Sequence, residues 1–146
     1  MAADDCPFCR IAADPDSVHP VLVTEGIMAF PDRGPIRRGH LQIAPRQHVE
    51  TFEDLDAEIA AEILWAGQRL ARVLKRLYRV PRVAFLFTGG DIPHAHAHLV
   101  PMVEKTDITS RRYITDAEVT FAARPRATQA DLSAVASEIR AAARSF

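Results

Sequence analysis

The longest regular pattern in the sequence lies between residues 55 and 78, and it predicts an amphipathic helix. Its apolar residues recur at spacings that place them on one helical face: Leu55, Ile59, Ile63, Leu70, Leu74 and Leu77. Asp54 or Asp56 is suited to cap the start, and Pro81 ends the helix because proline cannot continue the hydrogen-bond ladder. We expect Trp65 and Tyr78 to extend the buried face rather than to bind a cofactor.

Short β-prone segments lie on both sides of this helix. Residues 21–24 and 27–30 are separated by Glu25-Gly26, which is typical of a hairpin, and residues 41–44 form another strand candidate. Residues 83–87 and 94–102 are expected to pair as a hairpin in the centre of an antiparallel sheet. Residues 6–13 indicate a short helix or turn, and the tail from Thr128 predicts a closing amphipathic helix. Because strands and helices do not alternate regularly, we predict an α+β fold.

Length and charge limit the classes of function. A chain of 146 residues suits one compact domain, and its 48% hydrophobic and 25% charged residues are typical of an ordinary globular protein. A formal net charge of −1 favours neither nucleic acid nor an anionic membrane as a partner. No apolar run is long enough to span a membrane, and the acidic N-terminus lacks the apolar core of a signal peptide. We therefore expect a cytoplasmic protein.

The segment His94-Ala95-His96-Ala97-His98 carries the strongest indication of chemistry. Side chains alternate between the two faces of a strand, so the three histidines are expected to share one face, about 6–7 Å apart. An imidazole titrates near neutral pH, and a neutral ring nitrogen can attack phosphorus while a neighbouring group orients the ring. The pattern favours a nucleophile with supporting imidazoles over a fortuitous polar surface.

Cys6 and Cys9 form the other motif, Cys-Pro-Phe-Cys. In a reducing compartment such a pair is more often a metal site or a redox pair than a structural disulfide. A tetrahedral zinc site would need two imidazoles from elsewhere in the chain. A thioredoxin-like redox role is less favoured, because the pair does not follow a strand within a βαβ pattern.

Four segments, in this order along the chain, resemble the histidine-triad family. They are Cys6-Pro-Phe-Cys9-Arg-Ile11, Ala29-Phe30-Pro31-Asp32, Gly39-His40-Leu-Gln-Ile-Ala-Pro45-Arg-Gln-His48 and His94-Ala95-His96-Ala97-His98-Leu99-Val100. We therefore predict a single domain over residues 1–146, with residues 6–102 as its core and 103–146 as a C-terminal extension. The resemblance implies a five-stranded antiparallel sheet with a long helix. It also implies a hydrolase or transferase that cleaves phosphoramidates, nucleotidyl esters or dinucleoside polyphosphates through a covalent nucleotidyl-histidine.

The resemblance assigns roles to the matching residues. His96 would be the nucleophile, His98 would support the α-phosphate of a purine nucleotide, and His40 would lie close to them. Asp32 would accept the ribose hydroxyls, although a plain turn role suits it equally well. Phe8, Ile11 and Phe30 would line the base pocket, although core packing is the simpler interpretation of the two phenylalanines. Structural zinc would be bound by four residues: Cys6, Cys9, His48 and His94.

Two positions depart from the family pattern. Many relatives carry a Gln and then a Ser or Thr shortly before the first histidine, where this chain has Gly90 and Asp91. The departure keeps two other functions open, a nucleotide-binding module with weak catalysis and a metal-binding protein whose triad chelates a transition metal. We also expect a homodimer through the helix of residues 55–78, because Leu64 and Trp65 add apolar surface to it.

Overall fold

The computed structural model describes residues 5–87, 92–108 and 126–144. Its helices are α1 (Pro7–Ala13), α2 (Ala57–Leu77) and α3 (Gln129–Ala143), with 3-10 turns at Pro15–Val18 and Phe52–Asp54. Its strands are β1 (Leu22–Val23), β2 (Ile27–Pro31), β3 (Leu41–Pro45), β4 (Arg82–Phe87) and β5 (Ala97–Met102). No described helix is both long and apolar enough to cross a membrane.

The strands form one antiparallel sheet in the order β1-β2-β3-β5-β4. This confirms the predicted α+β fold and the hairpin of β1 with β2. β4 and β5 also pair, but the expectation that both occupy the centre of the sheet is wrong. β3 pairs with β5 on its other side, so β4 lies at the edge.

The register gives the sheet two chemically different faces. One face packs against α2 and α3 and forms the main core: Ile27, Ala29, Leu41, Ile43, Ile63, Leu70, Val73, Leu74, Ala97, Leu99, Val135 and Ile139. On the opposite face, Phe30, Gln42 and His98 lie in one row, because Gln42 pairs with both of the others. The strand alternation therefore separates the main core from a row on the opposite face that carries one histidine of the triad.

Helix α2 matches its predicted period but not every predicted detail. It begins at Ala57, after Asp56, so Leu55 precedes the helix while still packing against the core. Trp65 is 71% exposed, and the expectation that it extends the buried face is wrong. It follows the buried Ile63 by two residues, about 200° around the helix. Tyr78 is partly buried against the core, as expected.

The strand predicted over residues 94–102 begins only at Ala97. The backbone N–H of His94 donates to the Ile92 carbonyl at 2.8 Å, and that of Ala95 donates to the Val49 carbonyl at 2.7 Å. These bonds take the segment away from strand pairing before β5 starts. The expectation that one strand carries all three histidines is therefore wrong, since only His98 lies within the strand. Phe8 contacts the rings of both His94 and His96, and His96 contacts His98.

Gly39 occupies a backbone conformation and a close contact with Tyr78 that a larger residue would disturb. Its φ is +87°, and an added Cβ would lie 2.2 Å from Cε2 of Tyr78. We expect Gly39→Ala to lower the free energy of unfolding by about 1–3 kcal/mol, measured by urea denaturation, because strain and overpacking combine. Gly34→Ala is the matched control, since a Cβ there meets only Asp32 Oδ1, at 3.8 Å. Equal losses in the two variants would contradict the prediction.

Candidate functional site

The four predicted metal ligands lie close together beside α1. Cys6 Sγ lies 3.4 Å from His94 Nδ1, and Cys9 Sγ lies 3.7 Å from the same atom and 3.2 Å from His48 Nδ1. All four ligand atoms lie within 4.8 Å of one another. Sulfur and nitrogen ligands of one tetrahedral zinc ion lie about 3.5 Å apart, given Zn–S near 2.3 Å and Zn–N near 2.0–2.1 Å. The cluster therefore has the dimensions of a closed Cys2His2 site.

The protonation of this cluster also suits a metal. Cys6 and Cys9 are both thiols that form no disulfide within the described residues. His94 donates from Nε2 to the Pro45 carbonyl at 2.9 Å, so its neutral ring has an unprotonated Nδ1 facing the sulfur atoms. Burial lowers the pKa of His94, which keeps the ring in the neutral form that binds metal. Nε2 of His48 is buried without a hydrogen-bond partner among the described residues.

His96 is buried, and its ring has one defined tautomer. Its Nδ1–H donates to the backbone carbonyl of His94 at 2.7 Å. A neutral His96 therefore has its lone pair on Nε2. The ring packs against Phe8, with centroids 4.8 Å apart, and against His98, with centroids 4.9 Å apart. The structure thus holds the His96 ring in one orientation, as a base or nucleophile would require.

His40 and His98 form a second imidazole pair with the opposite orientation. The Ile36 backbone N–H donates to His40 Nδ1 at 3.2 Å, so a neutral His40 carries its proton on Nε2. That nitrogen lies 2.9 Å from His98 Nδ1 and donates to it. A neutral His98 then carries its own proton on Nε2. His96 and His98 are therefore adjacent rings with opposite tautomers, an acceptor beside a donor.

Asp32 lies beside this pair and is almost fully buried. Its Oδ1 accepts from the Gly34 backbone N–H at 2.6 Å, and its Oδ2 accepts from the Gln42 amide at 2.7 Å. Oδ2 also lies 3.5 Å from His40 Nε2 and 3.7 Å from His98 Nδ1. The turn interpretation of Asp32 is thus correct, and the same carboxylate also touches the histidine pair.

The predicted nucleotide-binding residues line one cavity of about 570 Å³: Phe8, Ile11, Phe30 and Asp32. Phe8 and Phe30 are also part of a small core cluster, so packing and lining are compatible. Gln42, Gln129 and Leu132 also line this cavity, although the sequence did not predict them as site residues. The alternation of β3 would have found Gln42, but no local pattern brings α3 to a cavity formed near the start of the chain.

The histidines of the triad separate into different groups. Within the described part of the chain, His94 joins the two thiols and His48, whereas His98 joins Asp32 and His40 in a second group of potential ligands. His96 belongs to neither group. This disfavours a single metal chelated by the whole triad. Gly90 and Asp91, the two departures from the family pattern, lie outside the described residues.

Comparison with known proteins gives consistent matches. A HIT domain model matches residues 17–105. Protein hit of Bacillus subtilis is 26% identical over 110 residues, covering 72% of this chain and 76% of that protein. The bifunctional adenosine 5′-phosphosulfate phosphorylase/adenylylsulfatase of Arabidopsis thaliana is 26% identical over 107 residues, covering 68% and 73%. The fold is similar to that of a zinc-bound histidine triad family protein from Mycobacterium smegmatis, with a TM-score of 0.74, 21% identity, and coverage of 99% and 96%.

Proposed function

The chain belongs to the histidine-triad (HIT) family, and from this premise we propose that it is a nucleotide-binding hydrolase or transferase that acts through a covalent nucleotidyl-His96. Its substrate would be a phosphoramidate, a nucleotidyl ester or a dinucleoside polyphosphate. The observation that carries the proposal is the hydrogen bond from His96 Nδ1 to the His94 carbonyl, which leaves the lone pair of a neutral His96 on Nε2, in a ring that packs against Phe8 of the cavity wall. The activity of the Arabidopsis relative on adenosine 5′-phosphosulfate supports nucleotidyl chemistry of this class.

The proposed reaction has two displacements at the α-phosphorus. His96 Nε2 forms a bond to phosphorus while the bond to the leaving amine, alcohol or phosphate breaks, and the leaving group departs with the electron pair and is protonated. Water then attacks the same phosphorus, releases the mononucleotide and restores His96. His98 donates from Nε2 to a phosphate oxygen as negative charge develops, and His40 positions it through the bond to Nδ1. Asp32 accepts a hydrogen bond from a ribose hydroxyl.

Turnover of an adenosine phosphoramidate tests this proposal against the alternatives. A wild-type protein that binds AMP without turnover would be a nucleotide-binding module. Metal analysis addresses the chelation alternative, because one metal per chain fits the Cys2His2 cluster whereas two would place a second ion at Asp32, His40 and His98.

The cytoplasmic location stays a prediction.

We propose zinc as the ion of the cluster formed by Cys6, Cys9, His48 and His94. The distances and the deprotonated Nδ1 of His94 support it, and the M. smegmatis fold relative is described as zinc-bound. With four protein ligands the shell is complete, so the ion would supply structure by fixing α1 and the start of the triad segment.

We also propose a homodimer through α2. Leu64 is 56% exposed and Trp65 71% exposed on this helix, and Phe85 is 36% exposed on the neighbouring edge strand β4. Gly67 lets α2 approach β4 closely, since a Cβ there would lie 2.5 Å from the Phe85 ring. Leu64 precedes Gly67 by three residues and so lies on the side of α2 next to Phe85, whereas Trp65 adds exposed apolar surface further around the helix.

Replacing Trp65 by Asp is expected to convert the dimer into monomers, because an interface would have to bury the new charge. Light scattering at micromolar concentration should give twice the chain mass for the wild type and a single chain mass for the variant. Val103→Asp is the control, since Val103 is 58% exposed outside α2. A monomeric wild type would exclude the proposed dimer.

A further inference from the structure

Gln129 reaches the cavity from a part of the chain beyond the family match. The HIT domain model ends at residue 105, whereas Gln129 is the first residue of α3. Gln129 and Leu132 line the same cavity as Phe8, Ile11 and Asp32. The C-terminal helix therefore supplies a polar side chain and an apolar side chain to a pocket whose other walls come from residues 7–42 and from Ile92.

The start of α3 is held firmly against this pocket. Thr128 and Asp131 form a reciprocal capping box, with the Asp131 backbone N–H donating to Thr128 Oγ1 at 3.1 Å. The Ala127 backbone N–H donates to the Arg33 carbonyl at 2.9 Å, and the Arg140 guanidinium donates to the Pro20 carbonyl. These bonds join α3 to the loop after β2 and to the segment before β1. The backbone at Gln129 is thus held beside the pocket, which its exposed side chain lines.

His19 orients the carboxamide of Gln129. Nε2 of His19 lies 3.0 Å from Gln129 Oε1, a geometry in which the ring N–H donates to the amide oxygen. His19 has φ 55° and ψ 64°, a left-handed conformation that directs the chain out of the 3-10 turn Pro15–Val18. With the oxygen engaged, the groups that Gln129 presents for recognition are the two N–H donors of its amide.

We propose that Gln129 determines base specificity by donating its amide N–H to an acceptor on the edge of a purine base. This inference rests on the proposed function, because it needs the cavity to hold a nucleoside. Phe8 and Ile11 offer apolar surface to the faces of a flat ring, whereas a ring nitrogen or carbonyl on its edge requires a donor. A pyrimidine has a smaller ring system and leaves this donor without a partner when its ribose is held at Asp32. The chain therefore binds purine nucleotides in preference to pyrimidine nucleotides.

Calorimetry with AMP and CMP tests the inference. Gln129→Glu keeps the shape of the side chain but removes both N–H donors, and we expect AMP affinity to fall about threefold to tenfold, the effect of one lost hydrogen bond. The ratio of AMP to CMP affinity should fall by the same factor. His19→Asn keeps a residue that tolerates the left-handed conformation but is too short to hold the amide, and it should give a smaller loss in the same direction. Ala134→Glu is the control for the added charge, since Ala134 is exposed on the same helix α3 and does not line the cavity, and it should leave the ratio unchanged.

Deaza analogues of AMP identify the base atom that accepts the bond. The analogue that lacks this ring nitrogen should bind the wild type more weakly than AMP, and Gln129→Glu should weaken its binding no further. Equal AMP to CMP ratios in the wild type and in folded Gln129→Glu would overturn the inference while leaving the proposed function intact. A wild type that binds neither nucleotide would instead overturn the proposed function.

Discussion

His96→Asn is expected to bind AMP normally but to form no nucleotidyl adduct. Rapid-quench mass spectrometry with an adenosine phosphoramidate should show an adduct of nucleotide mass on the wild type and none on the variant. Turnover should fall by at least about a thousandfold, because removing a nucleophile removes the path itself rather than one stabilising contact. Asn retains a polar side chain at a buried position where Nδ1 of His96 donates to the His94 carbonyl.

His98→Asn provides the comparison. His98 presents a donor on Nε2 rather than a lone pair, so its loss should slow both displacements while still allowing an adduct to form. The expected loss is smaller, about one hundredfold to one thousandfold, which is typical of one transition-state donor. Full activity in His96→Asn would refute the nucleophile assignment and favour the binding-module alternative.

Cys9→Ser is expected to abolish metal binding and to destabilise the fold. The wild type, purified without a tag, should contain about one zinc per chain, as a single four-ligand site requires. Losing the ion should lower the free energy of unfolding by about 3 kcal/mol or more, because a ligand that binds only the folded state stabilises it by an amount that rises with the logarithm of the ligand concentration relative to its Kd. Nucleotide affinity should fall as well, since Phe8 and Ile11 lie on the same helix α1 as Cys9.

Chelation supplies the matching measurement. A strong chelator should lower the wild-type unfolding midpoint to that of Cys9→Ser and should leave the variant itself unchanged. His19→Asn is the control, because His19 lies outside the Cys6, Cys9, His48 and His94 cluster and should retain the metal. A metal-free wild type of unaltered stability would eliminate the zinc site. A Cys6–Cys9 disulfide formed in air would then favour the redox alternative.

Local patterns were sufficient to predict most of the elements. The period of α2, the β1–β2 hairpin and the closing helix depend on side chains close together in the sequence, so their existence was readable. The start of β5 could not be predicted in this way. It depends on the carbonyls of Val49 and Ile92, which accept backbone hydrogen bonds from the segment before Ala97. The exposure of Trp65 follows from the same period, since this residue lies about 200° around α2 from Ile63, but its large apolar side chain favoured a buried position.

The site divides in the same way. The cluster of Cys6, Cys9, His48 and His94 was predicted from the family resemblance, and the structure brings those residues together. The bond between His19 and Gln129 joins residues 110 positions apart, and neither stands in a recognisable motif. The opposite tautomers of His96 and His98 also required coordinates, because they depend on the His94 carbonyl and on the Ile36 N–H.

The alternation of side chains along β3 and β5 determines both which residues enter the core and which residues share a face with His98. Gln42 pairs with His98 on one face, whereas the adjacent pair of Ile43 and Ala97 faces α2. Inserting or deleting a single residue within β5 would exchange its faces and carry His98 toward the interior and Leu99 toward the opposite face, and the same change within β3 would reverse Gln42 and Ile43. Changes in chain length are therefore expected to accumulate in the connecting loops, and an insertion scan across β3 and β5 should find no position that loses activity while keeping the fold.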